Sequence, residues 1–523
     1  MSAADVLNAA PAWVVTHSAV LIAVLPLLAA ALIAVIPSAR GAWIIALATT
    51  AACTVFAAVL LSLAWTSGAV SYELGGWAPP LGIEYRVDAL NGAILLLIAV
   101  MGLACTLYAP SSVAAEIPAR KQTLFYSAFL VCFAGLLGVV VTGDAFNLFV
   151  FLEISSLSTY VLVALGSHRD RRALTASYNY LILGTIGATF YVIGVGFLYM
   201  ATGTLNFADM AERLAPLSDS TVVRAGFAFI VVGLGLKLAM FPLHTWLPNA
   251  YAFAPSFVTA FLASTATKAA FYALARFLFS VFSPDVSFEG MSLVFLLAPL
   301  GVAGMVIASF QAVLQTDVRR VFAYSSVAQV GYMIMGLAFV SAAGAASGLA
   351  AGLLHVFNHA MMKAALFMGL GAMSLRLGIT RVDQFAGLGR VMPFTMAGVT
   401  IAGLSLIGVP LTVGFVSKWY LFQAALAAGW WWAVAALAVS SILAFIYVGR
   451  ILEAAYLRPP PEHDGQRLRA LAPPLSMLIP FWALVLANLY FGVNAEFTTE
   501  LACRAADAVF AAGDACESMG AGR

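Results

Sequence analysis

The sequence predicts an all-α polytopic membrane protein with about fourteen transmembrane helices, and three observations carry the prediction. Of 523 residues, 63% are hydrophobic and 9% charged, whereas a soluble domain runs roughly 45–50% and about 25%. No water-soluble fold of this size covers its surface with so few charges, so a soluble enzyme, a nucleic-acid binder and a disordered chain are excluded. The apolar stretches run about 20 residues or more, a helical bilayer crossing, whereas barrel strands alternate in pieces of about 10. Basic residues outside these stretches are shared unequally between alternate connections, as the topology of a multi-pass protein demands. The net charge of +2 points to no partner.

Asp5 precedes the first apolar run and no Lys or Arg does. A signal peptide needs a basic n-region, so the first span reads as a retained helix. Spans fall at 13–36, 42–66, 87–109, 123–141, 145–166, 174–201, 221–241, 251–281, 291–315, 321–342, 345–375, 394–425, 428–452 and 473–493. No soluble domain fits between them. The odd-numbered connections hold fifteen basic residues, and the even ones with the tail hold six. This places the odd loops on the cytoplasmic side and both termini outside, in the bacterial inner membrane.

The remaining four basic residues, Lys237, Lys268, Lys363 and Lys418, lie inside predicted spans, and Glu153 lies in the middle of the fifth. An ionisable group at mid-helix costs roughly 2.5–3.5 kcal/mol on insertion scales and reads by default as functional. One lysine near a helix end can snorkel to the interface, but Lys268 and Lys363 are deep. One carboxylate cannot neutralise four ammonium groups, so at least one lysine is expected to alternate between ammonium and amine.

The eleventh span reads His355-Val-Phe-Asn-His359-Ala-Met-Met-Lys363. Positions i, i+4 and i+8 share a helical face and form a polar stripe roughly 12 Å long. Imidazoles titrate near neutrality and pass protons. A haem or metal site is the competing reading, but two ligands on one face of one helix do not make a b-haem site, and only His244 could complete one. A packing role for one histidine stays open.

Two spans look broken. The seventh continues into Lys237-Leu-Ala-Met-Phe-Pro242-Leu-His244-Thr-Trp-Leu-Pro248, and the twelfth contains Gly408-Val-Pro410-Leu-Thr-Val-Gly414-Phe-Val-Ser-Lys418. Proline removes a backbone donor, and unwound backbone at membrane depth survives only within protein or against water. Each break has a lysine about four residues away. Simple kinks that shape packing are the alternative. Spans four to eight and nine to thirteen form two blocks of five, each with its broken helix in fourth place. An odd block length makes the second block enter from the opposite side, the inverted-repeat plan. The expected units are 1–122, 123–281 (first repeat), 291–457 (second repeat) and 458–523 (last helix and extracytoplasmic tail).

Cys53, Cys105 and Cys132 lie in or beside apolar spans and read as small core residues. Cys503 and Cys516 follow the last span, on the side where disulfides persist. On one straight helix they would stand about 20 Å apart, too far to bond. A turn at Gly513-Asp514 would bring them together, so a Cys503–Cys516 bridge that orders the tail is expected, against two free thiols in a frayed tail.

Four segments resemble the antiporter-like membrane subunits shared by complex I, membrane-bound hydrogenases and Mrp-type cation/proton antiporters. They are Val87-Asp-Ala-Leu-Asn91, Phe241-Pro-Leu-His-Thr-Trp-Leu-Pro-Asn-Ala-Tyr251, Asp317-Val-Arg-Arg-Val-Phe-Ala-Tyr-Ser-Ser-Val-Ala-Gln-Val-Gly-Tyr332 and His359-Ala-Met-Met-Lys-Ala-Ala-Leu-Phe367. The resemblance spans at least 86–425 and is nearest to the Mrp-type D subunits in length, in Lys363 and Lys418, and in Glu153. It implies Glu153 and Lys237 as a driving charge pair, with Lys268, His355, His359 and Lys363 as central relay. Lys418 becomes the terminal exchange site, with His244 and Asp144 as accessory positions. The expected function is a proton-translocating subunit that works with other Mrp subunits in a hetero-oligomer exchanging Na⁺, K⁺ or Li⁺ for H⁺. No enzyme chemistry, cofactor, metal or nucleic acid is expected, since the chain has no nucleotide loop, CxxC cluster or flavin signature. The rivals are the proton-pumping arm of a complex I-like or hydrogenase redox enzyme, coupling to bicarbonate uptake, and a structural subunit with a dead channel. Nothing transfers onto the tail after about residue 495.

Overall fold

A computed structural model describes residues 3–339, 345–459, 472–510 and 515–519. Its membrane helices follow the apolar runs in order: α1 Ala12–Ala34, α2 Ala39–Ser67, α3 Ala89–Glu116, α4 Gln122–Val141, α5 Ala145–Ala164 and α6 Arg172–Thr202. There follow α7a Thr221–Leu238, α7b Leu247–Phe253, α8 Ser256–Arg276, α9 Val294–Leu314, α10 Val318–Ala338 and α11 Ala345–Leu377. The series closes with α12a Pro393–Ile407, α12b Val413–Ala427, α13 Trp431–Leu457 and α14 Leu475–Val493. Among the described residues, thirteen helices are long and apolar enough to span a bilayer. The twelfth predicted span, 394–425, is covered by two 15-residue helices, α12a and α12b. The chain is a polytopic helical membrane protein.

A departure from an all-helical chain lies in the 67–86 connection. Val70–Glu73 (β1) and Glu84–Val87 (β2) pair antiparallel, Val70 opposite Val87 and Glu73 opposite Glu84. Alternating apolar and polar residues suit a half-covered hairpin. Side chains at the span ends start the helices. Asp88 caps α3 with a reciprocal bond from Asn91, Asp144 caps α5, and Asp317 caps α10, each accepting from backbone N–H groups that otherwise lack partners.

Both predicted breaks are present, and Lys237 sits nearer to its break than the spacing implies. It is the penultimate residue of α7a, which ends at Ala239 in the left-handed region (φ 60°). The indole of Trp246 reaches back across the gap to donate to the Leu236 carbonyl, 2.9 Å away. α12a ends at Gly408 (φ 94°), a conformation that favours glycine, and Lys418 stands on α12b beyond the gap.

α8 and α10 are almost wholly buried and α11 mostly so, whereas α6, α9, α13 and α14 present more than half of their residues outward. α8 packs against α11 and α7b against α10. The helices that carry Lys268, the histidines and Lys363 therefore pack directly against each other. Close approach is permitted by small residues: Gly187 and Gly194 of α6 sit against Gly233 and Gly226 of α7a.

The tail packs on the core rather than standing apart as an ordered appendage. Glu496–Asp507 (α15) and Ala515–Ser518 (α16) fold back onto the bundle. Arg504 lies over the Trp65 ring at 4.9 Å, Phe510 contacts Phe279 at 5.6 Å between ring centroids, and Tyr420 donates its hydroxyl to the Met519 carbonyl at 3.0 Å. Cys503 and Cys516 are joined by a disulfide, with their Cα atoms 4.8 Å apart. Leu501, Ala502, Cys503, Ala505 and Ala506 give α15 a face to bury. The turn expected at Gly513-Asp514 lies outside the described residues, as do Arg467, Arg469 and Arg523 of the basic-residue distribution. Cys53, Cys105 and Cys132 are buried free thiols.

Candidate intramembrane proton site

Lys237 and Glu153 form an ion pair, Nζ to Oε1 at 3.4 Å, and the same ammonium donates to the Ser156 hydroxyl at 2.6 Å. Ser156 is three residues after Glu153 on α5, so one helix turn supplies both oxygens. Lys237 is buried, but the Glu153 side chain keeps 23% of its surface exposed. It lies on the outer face of α5 among exposed Phe146, Val150, Leu157 and Val161. A cavity of about 30 Å³ separates Lys237 from Ala266, Ala269 and Ala270 of α8, room for about one water.

Lys268 is fully buried on α8 and donates to the Ala263 carbonyl at 2.5 Å and the Thr267 hydroxyl at 3.2 Å. Lys363 donates to the Phe322 carbonyl at 2.8 Å and the Ser325 hydroxyl at 2.5 Å, both on α10. Lys418 donates across its own break to the carbonyls of Leu406 and Ile407, at 3.1 and 2.8 Å, and to the Ser441 hydroxyl at 3.2 Å. It thus caps the end of α12a, where the helix carries about half a negative charge and unpaired carbonyls. Among the described residues, Lys237 alone of the four intramembrane lysines has a carboxylate partner; neutral oxygens hold the other three.

The α11 stripe forms as spaced. The rings of His355 and His359 lie 6.1 Å apart and nearly parallel. His355 Nδ1 is 3.0 Å from the Ser417 hydroxyl, one residue from Lys418. His355 Nε2 and both ring nitrogens of His359 are buried with no partner among the described residues. Buried polar atoms are almost always satisfied, by ordered water where protein is lacking.

α10 contributes a second polar line that the charged residues do not reveal. Ser325 binds Lys363, Gln329 follows one turn later with its side-chain oxygen buried and unpartnered, and the Tyr332 ring lies tilted beside His355, 5.3 Å between centroids. The Tyr332 hydroxyl is 3.2 Å from Ser441, which also holds Lys418. Of the four serine pairs in the sequence, three, at 155–156, 325–326 and 440–441, supply a hydroxyl to a buried lysine, whereas the pair at 111–112 does not.

The two accessory positions are placed differently. His244 is buried in the α7 break, stacked on Phe241 at 5.3 Å, with Nδ1 unpartnered. Asp144 caps α5, accepting the Asn147 N–H at 2.6 Å, about 13 Å from Glu153 along the helix. Burial raises its carboxyl above the ordinary carboxylate range, although backbone N–H bonds oppose the rise. Among the described residues no three His, Cys, Asp or Glu side chains gather as a metal set.

α8 links two polar cavities. At its start, Glu116 accepts the Ser256 N–H at 2.8 Å and pairs with Arg169 at 3.2 Å, beside a cavity of about 210 Å³ that Arg319 and Ser374 also line. At its end, Arg276 grips Asp88 through two bonds of 2.7 and 2.8 Å, beside a cavity of about 290 Å³. Burial opposes ionisation of Asp88, but Arg276 and the backbone N–H groups of Asn91 and Leu90 outweigh it and hold the carboxyl below its usual range. Lys268 lies between, about 18 Å from Ser256 and about 12 Å from Arg276. Arg276, counted with the connections in the basic-residue distribution, is thus a buried partner at a helix end.

A bundle with two broken helices, a buried row of lysines and histidines and polar cavities at both ends defines an antiporter-like membrane subunit. The chain belongs to the NADH:quinone oxidoreductase/Mrp antiporter transmembrane family, whose model matches residues 142–444, more than half of its length. It is 42% identical to NADH-quinone oxidoreductase subunit N of Desulforudis audaxviator, over 92% of this chain and 96% of that one. To the D subunit of the Na⁺/H⁺ antiporter of Alkalihalophilus pseudofirmus it is 29% identical, over 85% and 87%. Among solved structures, a chain of the Mrp complex from Dietzia sp. DQ12-45-1b superposes with a TM-score of 0.85 at 28% identity, covering 97% and 99%. A chain of the membrane-bound sulfane sulfur reductase, an archaeal respiratory membrane complex, gives 0.84 at 32%, covering 94% and 97%.

Proposed function

We propose that this chain is the proton-translocating subunit of a multisubunit Na⁺(K⁺/Li⁺)/H⁺ antiporter, and that protons move along the row from Glu153 through Lys237, Lys268, Lys363, His359 and His355 to Lys418. The observation that carries the proposal is the row of buried basic groups held by neutral oxygens and interleaved with unpartnered imidazole nitrogens. Beyond the first pair, each lysine can pass a proton and be reloaded without breaking an ion pair, and bound water completes the path. The partly exposed carboxylate of Glu153 on an apolar outer face supports assembly with another subunit, since a charge facing lipid is costly. The likeness to the antiporter's D subunit and to the Mrp complex supports the cation exchanger.

A redox-driven proton pump is the second reading, and the 42% identity to a quinone oxidoreductase subunit over 96% of its length favours it about as strongly. The deciding experiment is purification of the tagged chain from native membranes, followed by transport in vesicles. Co-purifying small antiporter subunits and a ΔpH evoked by Na⁺ support the exchanger. Co-purifying flavin or iron–sulfur subunits, with a ΔpH evoked only by reductant, replace it with the pump.

A further inference from the structure

Two crevices flank the start of α14, and neither belongs to the proton row. One, about 670 Å³, lies between α12a and α14, with walls of Met392, Phe394, Leu475, Leu478 and Trp482. The other, about 690 Å³, lies between α14, α2 and α3, with walls of Trp43, Leu107, Tyr126 and Pro480. Ile479 lines both, so α14 acts as a partition. Each crevice has one guanidinium at its mouth, Arg390 in the first and Arg40 in the second. Both arginines are exposed and, among the described residues, neither has an ion-pair partner, as is also true of Arg120, Lys121 and Arg376. Both stand at the basic end of the bundle, which holds Arg120, Lys121, Arg319 and Arg376.

An apolar slot of this size falls in the usual range for a bound small molecule, roughly 300–1,000 Å³. A free cation at its membrane-surface end adds a demand for negative charge, and basic pockets between helices on the cytoplasmic side bind anionic headgroups. Tryptophan on each wall suits the interfacial depth. Phe394, Leu475, Ile479 and Leu107 of the linings are exposed apolar side chains, and in a bilayer the commonest molecule with an anionic head and apolar chains is a phospholipid. We propose that these are two specific sites for anionic phospholipid, with the phosphate on Arg390 or Arg40 and the acyl chains against α14. The inference is independent of what drives the proton row.

The test uses the whole complex. It is reconstituted in nanodiscs of phosphatidylcholine with phosphatidylglycerol, re-extracted, and its retained lipid is measured by native mass spectrometry. The Arg40→Gln/Arg390→Gln variant should retain several-fold less phosphatidylglycerol and unchanged phosphatidylcholine, and Arg40→Lys/Arg390→Lys should recover it. Equal phosphatidylglycerol in wild type and the glutamine variant overturns the proposal. Because a variant complex can fail to assemble, a photoreactive residue at Leu478 or Leu107 in the otherwise unchanged chain gives a second measurement. A lipid adduct at either position supports the sites. An adduct to another subunit, or none, shows that protein or nothing fills the crevices and overturns them.

Discussion

At the residue scale, the chemistry concentrates on one carboxylate. Among the described residues, Glu153 is the sole acid paired with an intramembrane lysine, at 3.4 Å from Lys237. Breaking a buried pair by removing one partner costs about 3–5 kcal/mol, and the exposed edge of Glu153 places its cost toward the low end. Glu153→Gln is expected to abolish proton transport at normal expression, and Glu153→Asp to keep a fraction, read as dye-reported ΔpH in vesicles. Normal transport by the glutamine variant would remove the pair from the cycle. Lys268→Arg and Lys418→Arg test the carriers, because arginine keeps its charge and does not deprotonate in proteins. Both should be inactive while assembling normally, and wild-type rates in both would end the view of these amines as carriers. The charged residues are legible in the sequence because intramembrane charge is rare. Ser156, Ser325 and Ser441 show only as members of serine pairs, and Gln329 and Tyr332 do not stand out, since these residues are ordinary in helices until a lysine is seen beside them.

At the element scale, the α12 break depends on two glycines. Gly408 adopts φ 94° at the end of α12a, and a Cβ on Gly414 would collide with the Ser405 carbonyl. Gly414→Ala should force the half-helices apart and pull Lys418 from the Leu406 and Ile407 carbonyls. The expected result is strongly reduced transport with a lowered melting temperature of the purified complex. Unchanged values of both would mean that the halves are free to slide. Prolines at 242, 248 and 410 make the breaks legible in the sequence, because proline's missing donor is a local property. The position of Lys237 one residue from its helix end is not legible, since the left-handed turn at Ala239 is set by the packing of Trp246 rather than by its own residue type. The β1–β2 hairpin is hidden in a segment that hydropathy shows only as a connection.

At the scale of the whole molecule, Asp88 and Arg276 tie the start of α3 to the end of α8 across the 290 Å³ cavity. Arg276→Gln leaves a largely buried carboxylate unpaired and should destabilise the bundle by about 3–5 kcal/mol, seen as a fall in melting temperature. Because the Asp88 carboxyl is held low in the folded chain, its contribution is present above the unfolded value of about 3.9. It is lost as pH falls through the lower folded value. Acidification should therefore narrow the gap between wild type and variant. The tail offers a test of sidedness. Intact cells treated with an impermeant maleimide should label only after reduction, and at Cys516, since Cys503 is buried. Labelling without reductant would refute the bridge in the cell, and none after reduction would place the tail inside. Helix order is legible throughout, and thirteen of the spans declare themselves by length. The docking of the tail is not, because its apolar residues are too few to announce a partner.

The contact between Lys418 and the end of α12a has a further consequence. Its ammonium neutralises about half a negative charge on the helix end, in an interior where water is scarce. If the amine gave up its proton alone, that fractional charge would stand bare, so discharge is favoured only as another cation arrives to take its place. On the role proposed for Lys418, the half-helix would interlock discharge of the site with its reloading. A membrane charged by respiration is exposed to a short circuit at every proton wire it contains. A wire whose last contact disconnects unless a replacement charge is waiting leaks little when idle, and draws on the stored voltage only during exchange.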